Sequence, residues 1–428
     1  MTFGSWIRRT GFWSLDALRG RPIRRHYDDV SARMAGGRPD TDVLERLLEH
    51  ATRTTPAYAR YAGQPLDAFP VLDKMTLKSD PQSYRSSAYL DALLHIKKTS
   101  GSTGTPMVIG HDVDKRRRTI ADTIYFNEVA GQRVGDRLMW LTSARLVPIP
   151  RSRRLLQNII QVDHLGLDDA RMEAIVQRLH RDHVNGVLSI PSTLGALARH
   201  LERSGGSGGS LGLRVVISIG ETLDPGIKQR IEAAFGCPVV DRYANEENGV
   251  LACTRPGGDV LFLNRASYHF EFLKVDSDEP ARAGAPARVV VTDLYSRATP
   301  MIRYDTGDLA VVADPGDAAP AALLSVEGRR SDVIHTTRGG QLSAPSVSVF
   351  MVRHFPEIAR YQLVQVGAKS YRLTVALGDS RYREADFISV LSALVGPDAR
   401  IEVSMVERIP SLVSGKHRAV FRSPERLA

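Results

Sequence analysis

The sequence predicts an α/β protein with two parts: a large N-terminal domain of mixed sheets and helices with a β-rich subdomain, and a small C-terminal α+β domain on a hinge. Three observations lead there. Between residues 165 and 245, strand and helix patterns alternate in a regular βαβ order, which argues for parallel strands with crossover helices. From 258 to 313 the helical periodicity stops, and Val260–Leu263, Tyr268–Leu273 and Arg288–Thr292 read as strands. After Gly328-Arg329-Arg330-Ser331-Asp332 a compact alternation of strands and helices resumes. The expected division is therefore a large domain at 1–328, a hinge at 329–332 and a small mobile domain at 333–428.

The elements follow in chain order. Residues 1 to 90 read as mainly helical, with Asp40-Thr41-Asp42 capping one helix and Asp73 a short one. A Ser/Thr/Gly-rich loop at 97–106 then separates two short apolar stretches, as in a hairpin. Asp112-Val113-Asp114 starts a helix from Lys115 to Val129, with Ile120, Ile124, Tyr125 and Val129 at helical spacing. Arg137–Thr142 reads as a buried strand, and Asp168-Asp169 opens the next helix. Strands at 186–190, 213–219 and 238–243 alternate with helices at 193–201 and 225–235, the last stopping at Gly236. Ligands of parallel sheets bind beyond the carboxyl ends of strands. Three segments stand at those ends: Pro191-Ser192, Gly220-Glu221-Thr222 and Tyr243-Ala244-Asn245-Glu246-Glu247. Asp305-Thr306-Gly307-Asp308 reads as a polar turn after Met301–Tyr304.

Composition narrows the function. No apolar run among the 428 residues approaches the ~20 needed to span a membrane, so no membrane partner is expected. Arginines interrupt Phe3, Trp6, Ile7, Phe12 and Trp13, which argues against a signal peptide. Two cysteines, Cys237 and Cys253, form no disulfide framework, and a reducing cytoplasm is the expected setting. Lys plus Arg number 57 against 48 Asp plus Glu, a formal charge of +9. The arginines are dispersed and no nucleic-acid-binding motif accompanies them, so no nucleic acid is expected. The excess reads first as a basic surface on a protein from an Arg-rich proteome, and second as a match to a nucleotide or other anionic substrate.

The stretch Lys97-Lys98-Thr99-Ser100-Gly101-Ser102-Thr103-Gly104-Thr105-Pro106 carries the first chemistry. Glycine lets backbone approach a ligand closely, and backbone N–H groups interleaved with hydroxyls suit a phosphate chain. It is not a Walker A loop, because no Gly-Lys-Ser/Thr closes it.

With Tyr243–Gly249, Tyr304–Asp308 plus Gly328–Asp332, and Pro410–Lys416, this loop forms an ordered set of four stretches. In order and spacing they resemble the adenylate-forming superfamily of acyl-CoA synthetases, nonribosomal-peptide adenylation domains and luciferases. The resemblance spans residues 70 to 422. Ile190-Pro191-Ser192, Pro300–Tyr304 and Arg338-Gly339-Gly340 resemble the phenylacetate–CoA ligase branch, which includes capsule-biosynthesis relatives.

The resemblance implies ATP-dependent adenylation of a carboxylic acid, an aryl or small acid, with release of pyrophosphate, and then acyl transfer to CoA. The alternative acceptor is an amine, or AMP itself is transferred; a remote alternative is a non-catalytic nucleotide- or nucleic-acid-binding protein. The implied cofactors are ATP and Mg²⁺, with CoA as acceptor. By resemblance, Thr99, Ser100, Gly101, Ser102, Thr103 and Gly104 hold phosphates, and Gly220, Glu221, Thr222 and Tyr243 flank the adenine. Asp308 meets the ribose hydroxyls and Arg329 the ribose or phosphate. Lys416 bridges carboxylate and α-phosphate as a point charge. Trp140, Ser192, Ala244 and Asn245 line the acid pocket, and Arg338, Gly339 and Gly340 form the acceptor loop. Glu247 matches the acidic Mg²⁺ residue; Glu246 replaces a hydroxyl of the family pattern, so either glutamate is a candidate metal ligand.

Overall fold

A computed structural model describes residues 3–36, 41–90, 92–98, 107–142, 149, 151–164, 167–205, 211–313, 322–329, 334–342, 347, 350–351, 353–355, 357–358, 360–378, 380–407, 409 and 419–423. The N-terminal region is helical as expected: α1 (Phe3–Leu18), α2 (Pro22–Met34), α3 (Thr41–Thr54) and α4 (Lys74–Ser79). Asp73 caps α4, its Oδ1 accepting from Thr76 N at 2.7 Å. The two stretches flanking the Ser/Thr/Gly loop are β1 (His95–Lys98) and β2 (Val108–His111), paired antiparallel with His95 opposite His111.

Helix α5 (Val113–Val129) starts where predicted, with Asp112 as its cap. Its buried face differs from the apolar stripe. Ile124 is buried, but Lys115, Arg118 and Asp122 are buried beside it. Charges enter a core only when partnered, and each of these is. Lys115 Nζ lies 2.6 Å from Asp293 Oδ2. Arg118 Nε donates to Ser267 Oγ at 2.7 Å, and Ser267 Oγ donates to Asp122 Oδ1 at 2.7 Å.

The central sheet begins with β3 (Leu138–Leu141). Helix α6 (Arg151–Leu156) and β4 (Ile159–Val162) follow, neither of which the sequence pattern announced. Next come α7 (Asp169–Arg181), β5 (Gly186–Ser189), α8 (Pro191–Arg203), β6 (Val215–Ile219), α9 (Pro225–Phe235) and β7 (Val239–Asn245). Strands β4, β3, β5, β6 and β7 are adjacent and parallel. Apolar residues fill both faces. Val187, Val216 and Val239 pack with Leu197 and Ile231 of the crossover helices, and Leu188, Ile217 and Val240 pack with Phe126 of α5.

The β-rich region is not a separate sheet. β8 (Gly249–Cys253) pairs antiparallel with β7 and carries on the same sheet through β9 (Leu261–Leu263), β13 (Ala322–Arg329), β12 (Tyr304–Val312), β11 (Pro286–Asp293) and β10 (Tyr268–Leu273). Eleven strands result among the described residues. Here one expectation is corrected: Asp305–Asp308 is not a turn but part of β12. The ladder shifts register in this region, and Gly307 takes φ +78°. The irregularity lets three polar residues and a glycine sit inside a strand.

Beyond β13, Ile334–His335 (β14) and Gln341–Leu342 (β15) form a small hairpin. A four-stranded sheet follows, built from β16 (Arg360–Gly367), β17 (Ser370–Ala376), β18 (Arg400–Val406) and β19 (Val420–Arg422), with helix α10 (Glu384–Val395). Its core of Leu363, Leu373, Val375, Phe387 and Leu391 is its own, in keeping with the α+β pattern of the sequence.

Candidate active site

The candidate segments Pro191-Ser192, Gly220–Thr222 and Asn245–Glu247 stand at the carboxyl ends of β5, β6 and β7. β7 runs on to Asn245, and Glu246-Glu247-Asn248 turns the chain into β8. Asn245 Oδ1 closes this turn by accepting from Asn248 N at 2.8 Å. Two further ties hold it. Tyr268 O–H donates to the Asn248 carbonyl at 2.6 Å, and Lys115 Nζ donates to the same phenol oxygen at 3.1 Å. His111 Nε2 stands 2.8 Å from the Glu247 carbonyl. A carbonyl only accepts, so this nitrogen carries the hydrogen. Burial, and then the nearby Lys115 charge, push the His111 pKa down to about 3, and the ring is neutral.

The two glutamates of the turn occupy different environments. Glu246 is exposed, and its Oε2 lies 3.1 Å from Lys97 Nζ. Glu247 is 7% exposed. Its Oε1 accepts from the Tyr304 hydroxyl at 3.3 Å and lies 3.5 Å from Lys74 Nζ. Burial and the Glu247 charge hold the Tyr304 phenol well above its ordinary range, so it remains a donor. The described residues contain no cluster of three or more His, Cys, Asp or Glu able to enclose a metal. Mg²⁺ does not require one: it takes one or two carboxylates together with phosphate oxygens and water. A buried carboxylate such as Glu247 fits that role.

A second group forms on β7 and β12. The Tyr243 hydroxyl donates to Asp308 Oδ2 at 2.8 Å. Burial, then Asp308, raise the Tyr243 phenol. Thr306 Oγ1 donates to the Val289 carbonyl and accepts from Asp308 N at 3.2 Å, fixing the strand around the aspartate. Asp308 pairs in register with Arg329 of β13. Thr222 Oγ1 lies 3.6 Å from where a Cβ on Gly328 would stand, so the segment after β6 meets the end of β13. Asp305 is held apart from this group by Arg288, whose Nη1 lies 3.0 Å from its Oδ2.

Glu221, expected beside the adenine, also has a partner within the fold. Its carboxylate accepts from Ser192 N at 3.0 Å and from Ser192 Oγ at 3.1 Å. Helix α8 starts at Pro191 after Ile190, which offers no side-chain cap. Glu221 supplies that cap across the sheet and favours the positive helix end. Two predicted site residues, Ser192 and Glu221, are thus joined to each other. Trp140 is half-buried and packs against the cluster that holds Leu138, Leu188 and Ile217, Ala244 sits opposite Val250 in the β7–β8 pair, and Gly220 follows β6 directly at φ +81°. Arg338, Gly339 and Gly340 lie in the exposed turn between β14 and β15. Thr99, Ser100, Gly101, Ser102, Thr103, Gly104 and Lys416 lie outside the described residues, as do residues 330–332 of the expected hinge and the Arg329 side chain.

Sequence reading missed His111 and Lys74, and it did not assign Tyr304 to Glu247. His111 had one local signal, its position at the end of the strand that follows the phosphate-type loop.

No family model matches the chain. It is 25% identical over 352 residues to the phenylacetate-coenzyme A ligase of Pseudomonas putida, covering 76% of this chain and 78% of that protein. It is 21% identical over 337 residues to the protein CapK of Staphylococcus aureus, covering 75% and 72%. Among solved structures, 2-hydroxyisobutyryl-CoA ligase in the postadenylation state, in complex with R3-HIB-AMP, superposes with a TM-score of 0.71 at 18% identity over 90% of both chains. Motif order, sheet architecture and these relatives agree: the chain is similar to the phenylacetate–CoA ligases and has the fold of the adenylate-forming ligases.

Proposed function

We propose that the chain is an AMP-forming acid–CoA ligase. The observation that carries this reading is the buried Glu247 carboxylate, held on the β7–β8 turn by His111 and Tyr304. That turn is also tied to β1, the strand leading into the Thr99–Gly104 loop, through the Lys97–Glu246 contact. In the first step a carboxylate oxygen attacks the α-phosphorus of ATP. The bond to the bridging oxygen breaks, and pyrophosphate leaves with the electron pair. In the second step the CoA sulfur attacks the acyl carbon, the thiol proton is lost, and AMP departs.

Such chemistry depends on positioning and charge stabilisation. Asp308, oriented by Tyr243 and by its own backbone contact to Thr306, would accept from the ribose hydroxyls. Arg329, directly opposite on β13, would steady ribose or phosphate. Gly220 and Thr222 would flank the adenine, with Glu221 holding their segment against α8. Thr99 to Gly104 would bind the β- and γ-phosphates. Lys416 would bridge carboxylate and α-phosphate. Glu247 would hold Mg²⁺, which when bound neutralises charge on the phosphate oxygens. Glu246, exposed and paired with Lys97, would tune the rim instead. Residues 329–332 would serve as the hinge that exchanges Lys416 for the Arg338–Gly340 turn between half-reactions. Two buried free thiols, Cys237 and Cys253, suit a reducing cytoplasm.

The test is pyrophosphate release across a panel of aryl and aliphatic acids, with and without CoA, and product mass by spectrometry. At least one acid should release pyrophosphate and give a thioester mass with CoA. An amide or nucleotidylated product would replace the CoA assignment, and no release with any acid would remove adenylation altogether.

A further inference from the structure

We propose that the outward face of α1 docks on an anionic lipid surface. The helix is fixed to the body of the protein along one line only. Ser5, Phe12 and Asp16 are buried. The Asp16 carboxylate accepts from Ile23 N at 3.0 Å and Arg24 N at 2.9 Å, so it caps α2. Gly135, at φ +89°, approaches so closely that a Cβ there would stand 2.4 Å from the Ser5 carbonyl oxygen.

The opposite face is open and carries no charge. Phe3 is 77% exposed, Trp6 50%, Ile7 48% and Leu18 86%. Thr10, Gly11, Ser14 and Ala17 are exposed between them. At 3.6 residues per turn these eight share an arc of about 140°. Cations border that arc. Arg8 and Arg9 project to its two flanks, and Arg9 lines a groove with Trp6, Trp13 and Ser14. The Arg24 guanidinium lies 5.1 Å from the Trp13 ring, and Arg19, Arg21 and Arg25 are exposed in the turn and first residues of α2. Residues 3–25 hold six arginines and a single acid, Asp16, which is buried. The acids that reach the segment from outside, Glu128 beside Arg9 at 3.5 Å and Asp28 beside Arg24 at 2.8 Å, leave Arg19, Arg21 and Arg25 without an ion pair among the described residues.

An uncharged face with large apolar residues, rimmed by arginine, is the pattern of a helix lying in a lipid interface. The charge also selects the occupant. A second copy docking by two-fold symmetry would set the arginine rim against itself, whereas anionic headgroups neutralise it. No helix of the described residues is long and apolar enough to cross a membrane, so this contact is peripheral and reversible.

The test uses the full chain and sedimentation with vesicles, either of phosphatidylcholine alone or of phosphatidylcholine with phosphatidylglycerol, over a salt series. The expected result is binding to the phosphatidylglycerol vesicles that weakens with salt. Trp6→Ser with Ile7→Ser should weaken it about tenfold, and Arg19→Gln, Arg21→Gln and Arg25→Gln about fivefold each. These side chains are exposed, and unchanged circular dichroism and melting temperature check that the variants fold. Absent binding, equal binding to both vesicle types, or binding insensitive to every variant overturns the proposal. So does a concentration-dependent dimer in sedimentation velocity that Trp6→Ser with Ile7→Ser abolishes, which would assign the face to a second copy.

Discussion

His111→Gln isolates the contact that seats the glutamate turn. The histidine is 2% exposed, and its Nε2–H donates to the Glu247 carbonyl at 2.8 Å. In the folded chain burial and Lys115 push its pKa from 6.5 to about 3. Between those values the unfolded chain binds a proton at this site that the folded chain refuses. Stability therefore rises with pH across this window, and it is lost as pH falls from 6.5 towards 3. Each pH unit below 6.5 costs about 1.4 kcal/mol, so pH 5 costs roughly 2 kcal/mol. The glutamine amide can donate to the same carbonyl and does not titrate. Urea unfolding of both proteins at pH 7.5 and pH 5 measures the difference, and contributions common to both cancel. The wild type should be the more stable protein, or nearly equal, at pH 7.5, and should lose about 2 kcal/mol more than the variant on moving to pH 5. Equal acid sensitivity of the two proteins would refute a buried neutral imidazole, and with it this account of how the turn is held.

Other expected outcomes separate the remaining parts of the site. Glu247→Gln should lower pyrophosphate release about a hundredfold, while Glu246→Gln, an exposed partner of Lys97, should stay within about fivefold; the reverse ranking would exchange their roles. Tyr243→Phe removes the donor to Asp308 and should raise the KM for ATP about tenfold with little change in kcat; an unchanged KM would detach this pair from the nucleotide. Lys115→Met leaves Asp293 buried without its cation and should cost about 3–5 kcal/mol in thermal or urea unfolding, much of it recovered by adding Asp293→Leu; failure of the second change to recover stability would show that the cost is not that of an orphaned charge. Lys416→Ala should abolish adenylation but spare thioester formation from a supplied acyl adenylate, and equal loss of both half-reactions would contradict its assignment.

Periodicity alone placed most elements. The strands β5, β6 and β7, and the helices α7, α8 and α9 between them, follow from short apolar runs, Asp caps and the Asp224-Pro225 start of α9. The ends of those strands are where the site residues were expected, because a parallel sheet directs its loops to one edge. Helix α5 was legible in extent but not in orientation. Its apolar stripe suggested one buried face, yet Lys115, Arg118 and Asp122 point inward. Nothing local reveals this, since their partners Asp293, Tyr268 and Ser267 lie more than a hundred residues away. Asp305–Asp308 looked like a turn because its composition is that of turns; its neighbours β11 and β13 supply the ladder that makes it a strand.

By itself, then, the sequence determined the order of the motifs, the parallel βαβ core and the residue types available for nucleotide chemistry. These depend on neighbours within one element or one turn, where spacing and side-chain chemistry act directly. Only the tertiary structure decided which glutamate is buried, that Glu221 caps α8 through Ser192, and that His111 is a neutral donor to the turn. Each of these depends on desolvation and on a partner brought from a distant part of the chain: His111 meets Glu247 across 136 residues, and Tyr304 meets it across 57. Burial converts a polar side chain into either a cost or a fixed contact, according to what folding places beside it.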